Sequence, residues 1–351
     1  MMAISRGPRP CDFNPETLML LTLGQPSAVP TEHVGHRIDH VKPIRDPLYV
    51  VVAIENPQMF ATRYIHYRAF AKHIEASGAV LYTVELALGG RHFEVTDADN
   101  PRHIQLRGST ILWRKENLQN IGVSRLPHDW KYVLLADADF HFTRPDWVQA
   151  TLHALQRHGA VQAFQTYSCL RSDHTVESTQ DGFVHAWLQA GRKVGKDGVR
   201  GATGGAWAYD RPTWDTLHGM LETPILGSAD WYMTYALAGE VDRYKYDRNT
   251  SQELERCAPA YIESVNEWCD RATPLARNIG HVACHAIHYW HGPFRARGYG
   301  WRWKILTTHA FDPRKDLRRE PSGLLELAGN KPAMRDEIAD YFASRNEDAL
   351  T

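Results

Sequence analysis

Three near-continuous apolar runs, each finishing at or beside an acid, constrain this chain more than any other feature. Leu48-Tyr49-Val50-Val51-Val52-Ala53-Ile54 runs into Glu55, Val80 to Leu86 carries Glu85, and Lys131-Tyr132-Val133-Leu134-Leu135-Ala136 stops at Asp137. Runs without polar alternation suit strands buried on both faces, as in a parallel sheet covered by helices. Helical stretches separate them: Tyr64 to Ala76, closed by Gly78, and Leu112 to Ile121. A helix over Trp147–His158 and a strand over Ala160–Gln165 follow. This alternation predicts an α/β fold with a mainly parallel central sheet flanked by helices. In such sheets ligands bind beyond the carboxyl ends of the strands. Glu55, Asn56, Glu85, Asp137 and Asp139 fall there.

With 351 residues, 43% hydrophobic and 23% charged, the chain can bury a sizeable core in one large domain. A formal net charge of −1 restricts any nucleic-acid surface to a local patch. No apolar run approaches the roughly 20 residues of a membrane span, so no membrane partner is expected. Met1 to Cys11 holds no signal-type apolar stretch. The five cysteines, Cys11, Cys169, Cys257, Cys269 and Cys284, are scattered without zinc-site spacing. Together these lead us to expect a cytoplasmic protein with reduced thiols. Residues 1–47, rich in proline and ending Pro43-Ile44-Arg45-Asp46-Pro47, are expected to form an N-terminal arm.

The sharpest chemical signal is Leu134-Leu135-Ala136-Asp137-Ala138-Asp139-Phe140. In an extended chain, side chains two residues apart point the same way. Two hard carboxylates at the mouth of a sheet suit Mg²⁺ or Mn²⁺ carrying a diphosphate. The plain alternative is a turn with helix-capping aspartates. For a nucleotide we nominate Glu55, Arg63, Glu85 and Lys115, since acids accept from base or ribose and cations face phosphate. The segment Arg295–Arg319 holds eight Lys/Arg against Asp312 and Asp316, with Phe294, Tyr299, Trp301 and Trp303 among them. Such interleaving suits a diphosphate lid or a nucleic-acid groove, and equally a solvated edge with packed aromatics.

Asp137-Ala138-Asp139 after an apolar strand resembles the DXD motif of GT-A glycosyltransferases, which bind a nucleotide diphosphate sugar through a divalent metal on a Rossmann-like domain. Leu112-Trp113-Arg114-Lys115-Glu116-Asn117 and Leu126-Pro127-His128-Asp129-Trp130 extend the match towards glycosyltransferase-like proteins of bacteriophages and large viruses. So do Gly201-Ala202-Thr203-Gly204-Gly205-Ala206-Trp207, Gly227-Ser228-Ala229-Asp230, His288-Tyr289-Trp290-His291-Gly292 and Tyr341 to Asp348. The resemblance spans about residues 48 to 348 and leaves the arm unexplained. It implies a catalytic domain over 48–310, with a nucleotide-sugar half at 48–165 and an acceptor half at 166–310. A helical tail would occupy 311–351.

The resemblance also implies roles. Asp230 would be the base of an inverting transfer; the family form often has Glu-Asp there, whereas this chain has Ala229-Asp230. Asp137, Asp139 and His291 would hold Mn²⁺ or Mg²⁺, with His288 competing for the third place and imidazole favouring Mn²⁺. Glu55, Asn56, Arg63, Glu85, Trp113, Lys115, Asp137, Ala138, Gly204 and Gly205 would bind the nucleotide sugar, expected to be a UDP-sugar. Arg295, Arg297, Trp301, Arg302 and Trp303 would form an acceptor or phosphate patch. The phage-like pattern points to double-stranded DNA carrying 5-hydroxymethylcytosine as acceptor. A glycan or protein acceptor, a nucleotidyltransferase, and a sugar- or DNA-binding module without activity are the other possibilities. A nucleotidyltransferase usually has a Gly-rich, cationic loop after the first strand, and Glu55-Asn56-Pro57-Gln58-Met59 is not one. Oligomeric state is not legible.

Overall fold

The computed structural model describes residues 42–193, 201–240 and 257–350. The chain divides after Pro43, and the helices and strands from Leu48 onward belong to the unit beginning at Ile44. Most of the expected arm, with Cys11, lies outside the described residues.

The first apolar run forms β1 (Leu48–Glu55), followed by α1 (Ala61–Ala76) and β2 (Val80–Leu88). Next come β3 (His103–Gly108), α2 (Lys115–Val123) and β4 (Tyr132–Ala136). β5 (Phe140–Phe142), α3 (Trp147–Leu155) and β6 (Ala160–Gln162) precede a pair of strands, β7 (Thr166–Leu170) and β8 (Val176–Asp181). After α4 (Phe183–Gln189) come β9 (Ala206–Asp210), α5 (Arg211–Leu217), α6 (Ala229–Leu237) and α7 (Pro259–Ala272). The last part holds β10 (Ile279–His281), β11 (His285–His288), α8 (Trp303–Thr308) and α9 (Pro313–Asp316). A hairpin, β12 (Leu317–Arg319) with β13 (Leu325–Leu327), and α10 (Pro332–Ser344) complete it.

The central sheet has seven strands in the order β10-β6-β9-β4-β1-β2-β3. Every pairing is parallel except those of β9 with β4 and β6, so the expected mainly parallel α/β sheet is present. Val50, Val51, Val52, Val133 and Leu134 are fully buried, as strands covered on both faces require. Apolar clusters lie on both sides of the sheet. Leu118, Trp187 and Trp268 belong to one; Phe70, Ile74 and Trp147 belong to the other.

A second, four-stranded sheet runs β5-β11-β7-β8. Its antiparallel β5–β11 pairing sets Phe140 opposite His288, and the Tyr289 amide extends the ladder by donating to the Asp139 carbonyl at 3.0 Å. This pairing brings the end of the Asp-X-Asp motif against the late histidine segment.

Three expectations shift. α1 begins at Ala61 rather than Tyr64, because the Asp348 carboxylate accepts from the amides of Ala61 and Thr62, both at 2.9 Å. β3 was not legible, being an edge strand whose HIQLRG sequence is mostly polar. Residues 311–351 are not simply helical, since the β12–β13 hairpin stands between α9 and α10.

Candidate functional site

A cavity of about 520 Å³ opens beyond the carboxyl ends of β1 and β4. That size lies within the range of small-molecule sites. Its walls include Lys115 and Trp113 at the start of α2, Asp137 to Phe140, Thr203 to Gly205 before β9, and Asp230 in α6. His288, His291 and the 294–303 segment close it, together with Phe342, Arg345 and Glu347 from the chain's last part.

Asp139, His288 and His291 offer ligand atoms all within 4.8 Å of one another. Asp139 Oδ2 lies 3.6 Å from His288 Nε2 and 3.5 Å from His291 Nε2, too far for hydrogen bonds. Ligand atoms bound at about 2.0–2.2 Å to one ion sit at separations of this order. Asp139 Oδ1 is buried without a hydrogen-bond partner among the described residues, a costly state that a cation would relieve. Burial lowers the pKa of both imidazoles; Asp139 opposes this at His288, while Arg297 reinforces it at His291. Neutral imidazole is the form that binds metal. One carboxylate and two nitrogens fit Mn²⁺ better than Mg²⁺. The two histidines thus converge on Asp139 rather than compete.

Asp137 is placed differently. Its Oδ1 accepts from Lys115 Nζ at 2.9 Å, and it is not one of the three clustered ligands. Burial opposes the charge on Lys115, but Asp137, Glu116 and Asp230 outweigh it and raise its pKa. Glu116 is 4% exposed behind this lysine and accepts from Trp113 Nε1 at 3.2 Å. Burial pushes its carboxyl up to about 7, with Lys115 pulling the other way.

Asp230 lies in the first turn of α6, where the helix dipole favours a carboxylate. Its Oδ2 accepts from Thr203 Oγ1 at 2.8 Å. Gly204 passes so close that a Cβ there would meet the same oxygen at 2.8 Å. Gly205 has φ +97°, which a side chain would strain, and its carbonyl accepts from the Asp137 amide at 2.9 Å.

An arginine–glutamate network braces the far wall. Arg63 donates twice to Glu347, with Nη2 at 2.7 Å, and to the Glu55 carbonyl at 2.9 Å. Arg345 lies 2.7 Å from Glu347. His66 Nε2 donates to the Trp290 carbonyl at 2.6 Å, and Trp290 Nε1 donates to the Ala349 carbonyl at 2.7 Å. These contacts hold the turn carrying His288 and His291.

Other nominated residues fall elsewhere. Glu55 borders the cavity, but its carboxylate accepts from Arg114 Nε at 2.8 Å. Burial raises the Glu55 pKa against the pull of Arg114. Asn56 bonds the Phe60 backbone at 2.7 and 3.0 Å, fixing the approach to α1. Glu85 accepts the amides of Glu94, Val95 and Thr96 and is not a wall residue. A carboxylate closing a backbone loop has its acceptors occupied, which accounts for its departure from the nucleotide set.

The proposed patch also divides. Arg297, Arg302 and Trp303 line the cavity, whereas Arg295 and Trp301 do not. Arg302 is 3% exposed and donates to Ser228 Oγ at 2.8 Å, bracing the turn before α6. Arg314 pairs with Glu263 at 2.9 Å, Lys315 with Asp312 at 3.3 Å and Arg318 with Glu320 at 3.1 Å; Arg319 pairs with Glu222. Glu116, Thr203, Arg345 and Glu347 also line the cavity; their segments carried the resemblance, but the residues themselves were given no role. Glu347 leaves no local pattern, because its partner Arg63 lies 284 positions away.

Among the described residues, Cys169, Cys269 and Cys284 form no disulfide. No helix among the described residues is long and apolar enough to cross a membrane.

No protein-family model and no curated protein matches the chain. Among solved structures, a Drosophila β1,4-galactosyltransferase 7 mutant in complex with manganese, UDP-Gal and xylobiose overlaps at 13% identity and TM-score 0.29. The overlap covers 55% of this chain and 62% of that one, so this chain spans about three fifths of its length. S. aureus TarS 1-349 overlaps at 11% identity and TM-score 0.35, over 85% of this chain and 71% of that one. The 4-diphosphocytidyl-2C-methyl-D-erythritol synthase of Anaerococcus prevotii overlaps at 12% identity and TM-score 0.31, over 85% and 95%. All three overlaps are loose. The functional argument therefore rests on the side chains that this chain brings together.

Proposed function

We propose that this chain is a metal-dependent glycosyltransferase moving a sugar from a nucleotide diphosphate sugar to an acceptor hydroxyl, with inversion at the anomeric carbon. The observation that carries this reading is one cavity holding a carboxylate–imidazole triad, a lysine and a separate helix-borne carboxylate. A divalent cation held by Asp139, His288 and His291 would neutralise the departing diphosphate. Lys115, kept charged by its three acids, would face the same phosphates. Asp230 would take the acceptor proton as the acceptor oxygen bonds to the anomeric carbon. The carbon–oxygen bond to the diphosphate breaks with its electron pair leaving on the diphosphate. Gly204 and Gly205 let backbone approach the sugar without a side chain intervening.

A saccharide is the favoured acceptor. Phe294 and Tyr299, 63% and 48% exposed, both line the cavity, and their rings lie 5.3 Å apart. Exposed aromatics clustered at a cavity mouth mark a binding surface. The DNA acceptor needs a run of free cations for phosphate contacts. Arg314, Lys315, Arg318 and Arg319 are instead paired with acids of this chain.

The test is a panel of nucleotide sugars, UDP-sugars first, incubated with Mn²⁺ and either a saccharide array or hydroxymethylated duplex DNA. Products are read by mass spectrometry and their anomeric configuration by NMR. We expect transfer to saccharide with inverted configuration, lost in EDTA and restored by Mn²⁺. Full transfer in chelator would exclude the metal, a retained configuration would exclude Asp230 as base, and modification of DNA alone would exclude the saccharide.

A further inference from the structure

We propose that Thr203 is a positioning residue for the transfer reaction, acting through Asp230; the inference rests on the reading of Asp230 as base. The geometry consists of a donor, an acceptor and two clamps on the donor's backbone. Thr203 Oγ1 donates to Asp230 Oδ2 at 2.8 Å. The Thr203 carbonyl accepts from Trp207 Nε1 at 2.7 Å and from Thr234 Oγ1 at 3.3 Å. Trp207 belongs to β9 of the central sheet, and Thr234 lies in α6, the helix that bears Asp230. The threonine backbone is therefore tied to both elements that flank the base, and its hydroxyl direction is set by them.

A carboxylate on a short side chain rotates about its last bond unless something holds one oxygen. With Oδ2 taken by a hydroxyl donor, the plane of the Asp230 carboxylate is fixed and Oδ1 supplies the free lone pairs. Gly204 contributes by being bare, since a Cβ would stand 2.8 Å from Oδ2 and push the carboxylate out of this orientation. Misplacing a reacting group by about 1 Å can cost about 10²-fold in rate. A hydrogen bond to a charged acceptor is worth about 1.5–3 kcal/mol, which is about 10- to 160-fold.

A Thr203→Val variant keeps the shape and loses the donor; Thr203→Ser keeps the donor. Both are compared with wild type and with Asp230→Asn, alone and combined with Thr203→Val, using Mn²⁺ and whichever nucleotide sugar the panel identifies. We expect Thr203→Val to lower kcat about 10-fold or more while donor KM stays within about 2-fold. Thr203→Ser should recover most of the rate. In the Asp230→Asn background, adding Thr203→Val should cost nothing further, because the carboxylate it positions is gone. Equal losses in both backgrounds, no rescue by serine, or a donor KM rising in step with the fall in kcat would each overturn the inference. If Asp230→Asn itself kept full transfer, the base assignment would fail first. If Asp230→Asn lost transfer and Thr203→Val did not, the base would stand and the positioning role alone would fall.

Discussion

Asp137 and Asp139 sit two residues apart in one motif, yet the structure gives them different partners. Asp139 faces two imidazoles and Asp137 faces an ammonium. Expected by sequence to act as a pair, they separate because β5 pairs with β11 directly after Asp139, while Asp137 directly follows the end of β4. Asp139→Asn should abolish Mn²⁺ binding read by electron paramagnetic resonance. Asp137→Asn should keep most of that binding and instead weaken donor binding by loosening the hold on Lys115, seen by calorimetry with the nucleotide sugar. Equal loss of Mn²⁺ in both variants would return Asp137 to the metal site. Gly204→Ala is the second test at this scale. Its φ is unremarkable to a side chain but its Cβ would crowd Asp230, so we expect transfer to fall about 10-fold or more. The melting temperature should move little.

β5 is only three residues long, and the element depends on a histidine from outside its sheet. His73 of α1 accepts the Phe142 amide through Nε2 at 3.2 Å, and its ring stacks on His141 with centroids 3.8 Å apart. Burial, with His141 adding to it, lowers the His73 pKa to about 4. The sign follows from proton uptake. Below the ordinary histidine value near 6.5 the unfolded chain binds a proton that the folded chain refuses, down to about 4. Stability contributed at this position is therefore intact above pH 6.5 and declines as pH falls towards 4. His73→Gln keeps an acceptor without the titration. It should flatten part of the acid limb of stability measured by urea unfolding between those pH values; an unchanged limb would remove His73 from the account. At this scale the sequence was a good guide to long apolar strands such as β1 and β4, whose composition already requires burial. It was a poor guide to β3, β5 and β11, which are short, partly polar and stabilised by pairing with strands far along the chain.

The unit from Ile44 onward is bound together by charges that no local window reveals. Arg114, 1% exposed, reaches Glu55 at the end of β1 at 2.8 Å and Glu326 in β13 at 3.1 Å, and also donates to the Leu325 carbonyl at 2.9 Å. Glu326 in turn accepts from the amides of Ser109 and Thr110, both at 2.9 Å. Arg114→Met would strand two buried acids, which typically costs about 3–5 kcal/mol, measurable by equilibrium unfolding; a loss under about 1 kcal/mol would show the acids simply protonate. The sheet, and the position of Asp139 at its mouth, were legible because strand ends have local signatures; His291 and Asp230 were nominated only through the resemblance. Glu347 was given no role, because its partner Arg63 lies 284 positions away. The amide of Ala61 and the carboxylate of Asp348 are separated by 287 positions. Closing so long a loop is slow relative to forming neighbouring strand pairs. The order of events in time follows: the sheet should regain its far-ultraviolet signal early in refolding, and the capacity to bind Mn²⁺ should return in a later, separate phase.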